Sequence, residues 1–332
     1  MNLKTKYLGI ELKNPIVPSA SPLSRNLDSM KRLEDAGASA IVMYSLFEEE
    51  IEHESAELDH YLHYGTESYA EALTYFPRAD EYNLEPDAYI ELLRKAKASL
   101  GIPVIASLNG ITSGGWIKYA RHFEDAGADA VELNVYYIPT DPRLTSHDVE
   151  ERYMNVLSAV RDSIGVPIAV KLSPYFSSLS HFAEGLVGAG ANGLVMFNRF
   201  YQPDLDIENL EVVPGVTLSD SSANKLPMRW IAILYGRLKA SLAATSGIHT
   251  AEDVLKLVMA GADVTMMCSA LLQHGPQHIR KVLTDLTKWM EDHEYESIEQ
   301  MKGSMSQRSV ADPSAFERAN YMKALNSFKL LV

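Results

Sequence analysis

The chain is poor in cysteine, in positive charge and in long apolar runs, and each shortage removes a class of protein. One cysteine, Cys268, among 332 residues permits no intrachain disulfide and no all-cysteine zinc or iron–sulfur site, which fits a reducing cytosol. Thirty Lys and Arg stand against 44 Asp and Glu, a formal net charge of −14. Tracking nucleic-acid phosphates requires clustered cations, so DNA and RNA are not expected partners. No run approaches the roughly 18 apolar residues that would span a bilayer. The opening MNLKTKYLGIELKNP breaks every apolar stretch with Lys or Glu, where a signal peptide would carry an apolar core. A cytoplasmic chain without membrane segments is therefore expected. Also missing is a G-x-G-x-x-G turn after the first apolar stretch, where Ala20-Ser21-Pro22-Leu23-Ser24 stands instead, and this counts against an open dinucleotide-binding sheet.

What the chain does have is a phrase that recurs four times: Ala36-Gly37-Ala38, Ala126-Gly127-Ala128-Asp129, Ala189-Gly190-Ala191-Asn192 and Ala260-Gly261-Ala262-Asp263. Each follows a helix-like stretch and precedes a short apolar run (AIVMYS, AVELNV, GLVMFN, VTMMCS). Glycine after a helix accepts the left-handed conformation that ends it, and the chain then enters a buried strand. The phrases lie 63 to 90 residues apart, room for two strand–helix units each. A second strand is found in every gap: PVIASLN from Pro103, PIAVKLS from Pro167 and SLAATSG from Ser241. With PIVPSAS from Pro15 the total is eight. Short, fully apolar strands alternating with helices predict parallel strands buried on both faces, closed as a (β/α)8 TIM barrel in one domain over residues 1–332. Ahead of it, KTKYLGIELKN predicts a short N-terminal hairpin turning at Gly9 across the barrel's bottom. Two stretches break the rhythm. Residues 48–86, with Glu48-Glu49-Glu50, His60, His63 and several tyrosines, read as a lid-like insertion or interface arm, or as solvated decoration. Residues 293–332, polar and then weakly helical through AFERANYMKALNSF, read as an extension ending in a C-terminal helix packed on the barrel.

Catalytic groups of such barrels sit at the C-terminal ends of the strands. Those ends hold Ala20 and Ser21, Tyr44 and Ser45, Asn109, Asn134, Lys171, Asn198, Ser246 and Gly247, and Cys268 and Ser269. Lys171 interrupts the apolar strand Ile168-Ala169-Val170-Lys171-Leu172, and a buried lysine needs a partner. A bound anion is one such partner, a neighbouring carboxylate another. Asn109, Asn134 and Asn198 offer donor and acceptor without charge, which suits the imide edge of a flat heterocycle, although each alone could be a turn residue. Thr245-Ser246-Gly247-Ile248 and Cys268-Ser269-Ala270-Leu271 end the seventh and eighth strands, where barrels hold phosphate on backbone N–H groups and hydroxyls. Ordinary helix capping is the alternative there. His60-x-x-His63 and His274-x-x-x-His278 lack an accompanying carboxylate motif, and no metal site is expected. Ser113-Gly114-Gly115 reads as a helix cap.

Several of these segments resemble the class 1 dihydroorotate dehydrogenases: LKTKYLGIELKNPIVPSAS at the start, Glu132-Leu133-Asn134, VKLSPYF around Lys171, and ATSGIHTAEDVLKLVMAGADVTMMCSALLQHGP near the end. The resemblance implies a cytosolic, commonly dimeric FMN-binding barrel that oxidises dihydroorotate. It implies that Lys171 lies against the pyrimidine end of the flavin and that Asn134 and Asn198 contact flavin or substrate. Ser246-Gly247 with Cys268-Ser269 would hold the FMN phosphate, with Ala20, Ser21, Ser45 and Asn109 among the cofactor contacts and Tyr44 facing substrate. The chain also departs from the family. Where the family reads Asn-x-Ser-Cys-Pro-Asn, this chain has Asn134-Val135-Tyr136-Tyr137-Ile138-Pro139, so Tyr137 takes the place of the catalytic cysteine. The family's lysine at the end of the second strand aligns with Tyr44. Its substrate loop has no match in residues 64–80, and Thr217-Leu218-Ser219-Asp220-Ser221 replaces a glycine-rich phosphate turn. The expectation is an FMN-dependent oxidoreductase acting on dihydroorotate or a related small cyclic polar substrate, with Lys171 and Tyr137 catalytic and the electron acceptor separate or on a partner subunit. Two alternatives stay open: a Schiff-base lyase or aldolase built on Lys171, and a flavin-binding protein without catalysis.

Overall fold

A computed structural model describes residues 1–49, 86–110, 114–199 and 202–327. The lid-like insertion, with His60 and His63, therefore lies almost wholly outside the described residues, as does Ser113. Eight strands form one parallel sheet: β3 (Ile16–Pro18), β4 (Ile41–Phe47), β5 (Val104–Gly110), β6 (Ala130–Val135), β7 (Ile168–Leu172), β8 (Gly193–Met196), β11 (Ser241–Thr245) and β12 (Val264–Met267). Each β4-to-β8 neighbour pairs with the next, β8 pairs with β11, β11 with β12 and β12 with β3. At the seam between β3 and β4, Ser39 donates its N–H and its hydroxyl to the Ile16 carbonyl. The TIM barrel and all eight expected strands are present, with helices between them.

The recurring phrase works through hydrogen bonds that the sequence does not display. Its four glycines have φ of 112°, 90°, 108° and 125°, and the alanine after each donates to the carbonyl five residues back: Ala38 to Leu33, Ala128 to Phe123, Ala191 to Leu186, Ala262 to Leu257. These bonds close the helix end. The fourth residue then docks the coming strand. The N–H of Asp129, Asn192 and Asp263 donates to Val104, Ile168 and Leu242 of the preceding strand, and their side chains accept from the N–H groups of the same three residues at 2.7, 2.9 and 2.8 Å. One four-residue phrase thus ends a helix and sets the register of a strand.

Alternation within the strands separates two cores. Val131, Leu133 and Val135 of β6 face the helix layer, while Ala130 joins Val17, Val42, Ile105, Ala169, Val195, Ala243 and Val264 inside the barrel. The interior residues are small, and the N-terminal hairpin of β1 (Thr5–Tyr7) and β2 (Ile10–Leu12) fills the space. It turns at Leu8 and Gly9, both at positive φ, and inserts Tyr7, Leu8 and Leu12 into that inner core. Leu8 is so close to Gly193 that a Cβ there would lie 2.5 Å from its methyl group.

Two features differ from expectation. A short antiparallel hairpin, β9 (Asp204–Asp206) with β10 (Glu211–Val213), stands between β8 and its helix. Leu205, Ile207, Leu210 and Val212 on it are exposed, so no burial pattern marked it. The C-terminal helix forms over Arg318–Ser327 but buries none of its residues. What packs on the barrel is the segment before it, where Gln307 donates its N–H to Ala232 and accepts from Arg237. No helix among the described residues is long and apolar enough to cross a membrane.

Candidate active site at the strand ends

A cavity of about 710 Å³ opens at the C-terminal ends of the strands, within the size range of small-molecule and cofactor sites. Its wall includes Ala20, Ser21, Tyr44, Ser45, Asn109, Asn134, Lys171, Asn198, Ser246, Gly247, Cys268 and Ser269, which brings together the sequence-derived candidates except one. Tyr137 is not part of the wall. Tyr136 is, while the Tyr137 ring lies under Arg152, whose guanidinium carbon is 4.6 Å from the ring centroid.

Period-two alternation explains how β5, β6 and β7 build the floor. Asn109 is in register with Asn134 and Asn134 with Lys171, so the three side chains share one layer on the barrel's inner side. Asn198 reaches the same layer from the loop after β8, donating from Nδ2 to Oδ1 of Asn134 at 2.5 Å. Ser45 shares a 2.9 Å hydroxyl contact with Ser107 one layer lower. Lys171 is only 7% exposed. Its ammonium lies 3.6 Å from Oε1 of Glu132, so the carboxylate partner considered from sequence is present, on a face of the lysine that still leaves it in the cavity wall.

At the opposite end, three loops converge. Ser219 donates its N–H to the Ser269 hydroxyl at 3.1 Å and its own hydroxyl to the same oxygen at 2.9 Å. The Gly247 N–H points at the Ser219 hydroxyl, 3.4 Å away. Ser246 and Gly247 have φ of 81° and 72°. A Cβ on Gly247 would lie 2.3 Å from the Asn224 nitrogen and 2.8 Å from the Ala223 carbonyl carbon, so only glycine fits the loop against that backbone. Asp253 locks two of the loops, those of Ser219 and Gly247, to each other. Buried at 3% exposure, it accepts from the Ser221 hydroxyl, Asn224 Nδ2, the N–H groups of His249 and Thr250, and the Thr250 hydroxyl. His249, within 3.4 Å of the Ser219 hydroxyl, has its pKa held below the ordinary imidazole value by burial against the opposing pull of Asp253. Burial likewise pushes the Cys268 thiol up, with Lys171 pulling the other way, so the thiol is protonated at neutral pH.

Sequence reasoning missed three members of this arrangement. Ser219 was visible only as a departure from a glycine-rich turn; its role comes from the folding of its loop onto Ser269. Arg25 lines the mouth, 5.0 Å above the Tyr44 ring, and carries no local signal. Glu132 did carry one, since it is a charge in an apolar strand just as Lys171 is. Among the described residues no group of three His, Cys, Asp or Glu side chains is placed to hold a metal ion.

Comparison with known proteins bears on the same segments. Residues 81–290 match the dihydroorotate dehydrogenase family, a span that includes the strands of Asn109, Asn134 and Lys171 and both serine-bearing loops. The catalytic subunit of the NAD(+)-type dihydroorotate dehydrogenase B of Thermoplasma acidophilum is 27% identical over 314 residues, covering 91% of this chain and 98% of that protein. The fumarate-type dihydroorotate dehydrogenase A of Limosilactobacillus reuteri is 30% identical over 198 residues, 56% of this chain and 62% of that protein. A match of this extent, over a barrel whose charged and amide side chains face one cavity, makes the chain a member of the dihydroorotate dehydrogenase family of flavin-dependent oxidoreductases acting on CH–CH groups.

Proposed function

We propose that the cavity binds FMN and that the chain carries out two-electron oxidation or reduction of a small cyclic polar substrate, dihydroorotate or a relative of it. The observation that carries this reading is the loop cluster of Ser219, Ser246-Gly247 and Ser269. It gathers hydroxyls and a backbone N–H around a glycine packed so closely on the backbone of residues 220–224 that no Cβ fits, a donor set suited to a phosphate monoester. The same cavity ends at a buried lysine with asparagines in the same layer, suited to the imide edge of a flavin. Ala20, Ser21 and Ser45 complete the cofactor wall in this reading, with Cys268 beside the phosphate.

FMN, when bound, supplies a two-electron acceptor and donor. The chain's own residues do the rest: Lys171 stabilises negative charge at the flavin's pyrimidine edge, Asn134 and Asn198 orient cofactor or substrate, and Tyr44 bounds the substrate end. Proton transfer at the substrate falls to Tyr136, which faces the cavity, in preference to Tyr137. A phenol is ordinarily a poor base at neutral pH and a serviceable acid, so dihydroorotate itself should be a slow substrate. The Schiff-base alternative needs a neutral amine, and Lys171 instead faces a carboxylate at 3.6 Å; borohydride trapping with carbonyl substrates tests it. The electron acceptor is a separate molecule or subunit, since one cysteine cannot hold an iron–sulfur centre. A homodimer rests on family resemblance, and light scattering tests it. The decisive experiment is the absorption spectrum and mass of cofactor released from the purified chain after reconstitution with FMN. FMN release is expected; FAD, or no flavin, overturns the reading.

A further inference from the structure

Beneath the cavity floor lies a carboxylate that the proposed chemistry does not use. Glu132 is fully buried, and neither of its oxygens accepts a hydrogen bond from a described residue. It sits on the inner face of β6 between Ala130 and Asn134, one layer below Asn134, in register with Ser107 and Ala169. It does not line the cavity, whereas Lys171 does. The ammonium of Lys171 is therefore held between the cavity on one side and the Glu132 carboxylate, 3.6 Å away, on the other. Below Glu132 the barrel is closed by Tyr7 of the hairpin, itself buried with a hydroxyl that has no hydrogen-bond partner among the described residues. Its phenol pKa is raised by burial first and by Glu132 second. A charge so enclosed is screened little by solvent, and leaving it without its counter-ion is costly.

We propose that Glu132 is a positioning residue of the flavin site: its carboxylate tethers the Lys171 ammonium at the cavity floor and offsets part of its charge, holding the potential of the bound flavin below the value Lys171 alone would set. The inference rests on the FMN reading above. It follows from the order of the layers, because a negative charge directly behind the lysine opposes the accumulation of negative charge in front of it. Glu132 touches neither cofactor nor substrate and acts through Lys171.

The test is the midpoint potential of FMN-reconstituted wild type, Glu132→Gln, Lys171→Met and the double variant, with the unfolding free energy of each apoprotein measured alongside. Glu132→Gln should favour reduced over oxidised flavin by on the order of tenfold, an upward shift of about 30 mV for a two-electron couple. Lys171→Met should shift the potential down, and Glu132→Gln added to it should move the potential far less than in the wild-type background. In the apoproteins, Lys171→Met should be the least stable, and the double variant should regain stability by removing the stranded carboxylate. Flavin-loaded Glu132→Gln with the wild-type potential, or with an equal shift in the Lys171→Met background, overturns the role of Glu132. If Glu132→Gln does not fold, the midpoint potential of FMN-loaded Glu132→Asp decides: the shorter side chain draws the carboxylate back from the Lys171 ammonium, so an upward shift that is lost in the Lys171→Met background supports the tether, and the wild-type potential overturns it. Failure of the wild type to take up FMN refutes the flavin reading itself and is seen before any variant is compared.

Discussion

Replacing Gly247 with Ala should separate the phosphate cradle from ordinary backbone strain, provided it is read against Gly127→Ala. Both glycines have positive φ, 72° and 90°, and an L-residue in that region costs roughly 1–2 kcal/mol. At Gly127 that is the whole cost, because the nearest atom to a new Cβ is Lys97 Cγ at 3.8 Å, an ordinary contact. At Gly247 the new atom meets the Asn224 nitrogen at 2.3 Å, the Ala223 carbonyl carbon at 2.8 Å and the Asp220 oxygen at 3.0 Å. These are backbone atoms, and Asp253 pins their segment through Ser221 and Asn224, so no side-chain rotation relieves the clash. Overpacking of this kind adds about 1–3 kcal/mol, which places Gly247→Ala at roughly 2–5 kcal/mol against 1–2 for the control. FMN adds a second readout. At a ligand concentration of 100 Kd, binding stabilises a folded protein by about 2.7 kcal/mol. Gly127→Ala should keep that increment in full and Gly247→Ala should lose most of it, because its loop must move away from Ser219. Equilibrium denaturation with and without FMN measures both quantities. Equal losses for the two variants, with the FMN increment intact in both, would refute the assignment of the cradle.

Four further outcomes are expected. Lys171→Ala should lower the flavin potential and slow flavin reduction, since a desolvated cation at that edge is worth on the order of 2–4 kcal/mol of anion stabilisation; redox titration of the folded variant checks it. In anaerobic flavin bleaching by dihydroorotate, Tyr136→Phe should lose more of the rate than Tyr137→Phe, up to the 10²- to 10⁴-fold typical of a positioned acid or base, and the reverse order would return the role to Tyr137. Because burial raises the Cys268 pKa, alkylation of the apoprotein by a small thiol reagent should be slow at neutral pH and reach half its limiting rate only above the ordinary thiol range; a half-maximal pH at or below that range is the contrary result. Lys302→Met should cost about 1–3 kcal/mol in denaturant titrations, because it removes the cation 3.0 Å from the Asp263 carboxylate, which is 16% exposed and, among the described residues, keeps only its bond from the Leu242 N–H.

The barrel was legible because its signals are local. A helix end needs a residue that tolerates positive φ, and a strand start needs its first N–H satisfied. The recurring Ala-Gly-Ala-Asp or Asn phrase does both within four residues, so its repetition counts strands before any contact is known. Lys171 was legible for a similar reason, as one charge in an apolar run, and the strand-end rule then delivered most of the cavity wall. Where local pattern and burial part company, the sequence was silent. The Asp204–Val213 hairpin is exposed on its described strands and shows no alternation of burial, and the Arg318–Ser327 helix forms without an apolar face to bury, so helix-forming residues alone did not imply packing on the barrel.

Only the tertiary structure decided which polar groups meet. That Tyr136 faces the cavity and Tyr137 lies beneath Arg152 depends on where the chain leaves β6, a turn of the backbone that two adjacent tyrosines cannot encode. Ser219 and Ser269 are 50 residues apart, and they meet only because the barrel brings the loop after β8 beside the end of β12. The Glu132–Lys171 pair depends on the register between β6 and β7. A shift of one residue would turn Lys171 out into the helix layer, because alternate side chains of a strand point to opposite faces.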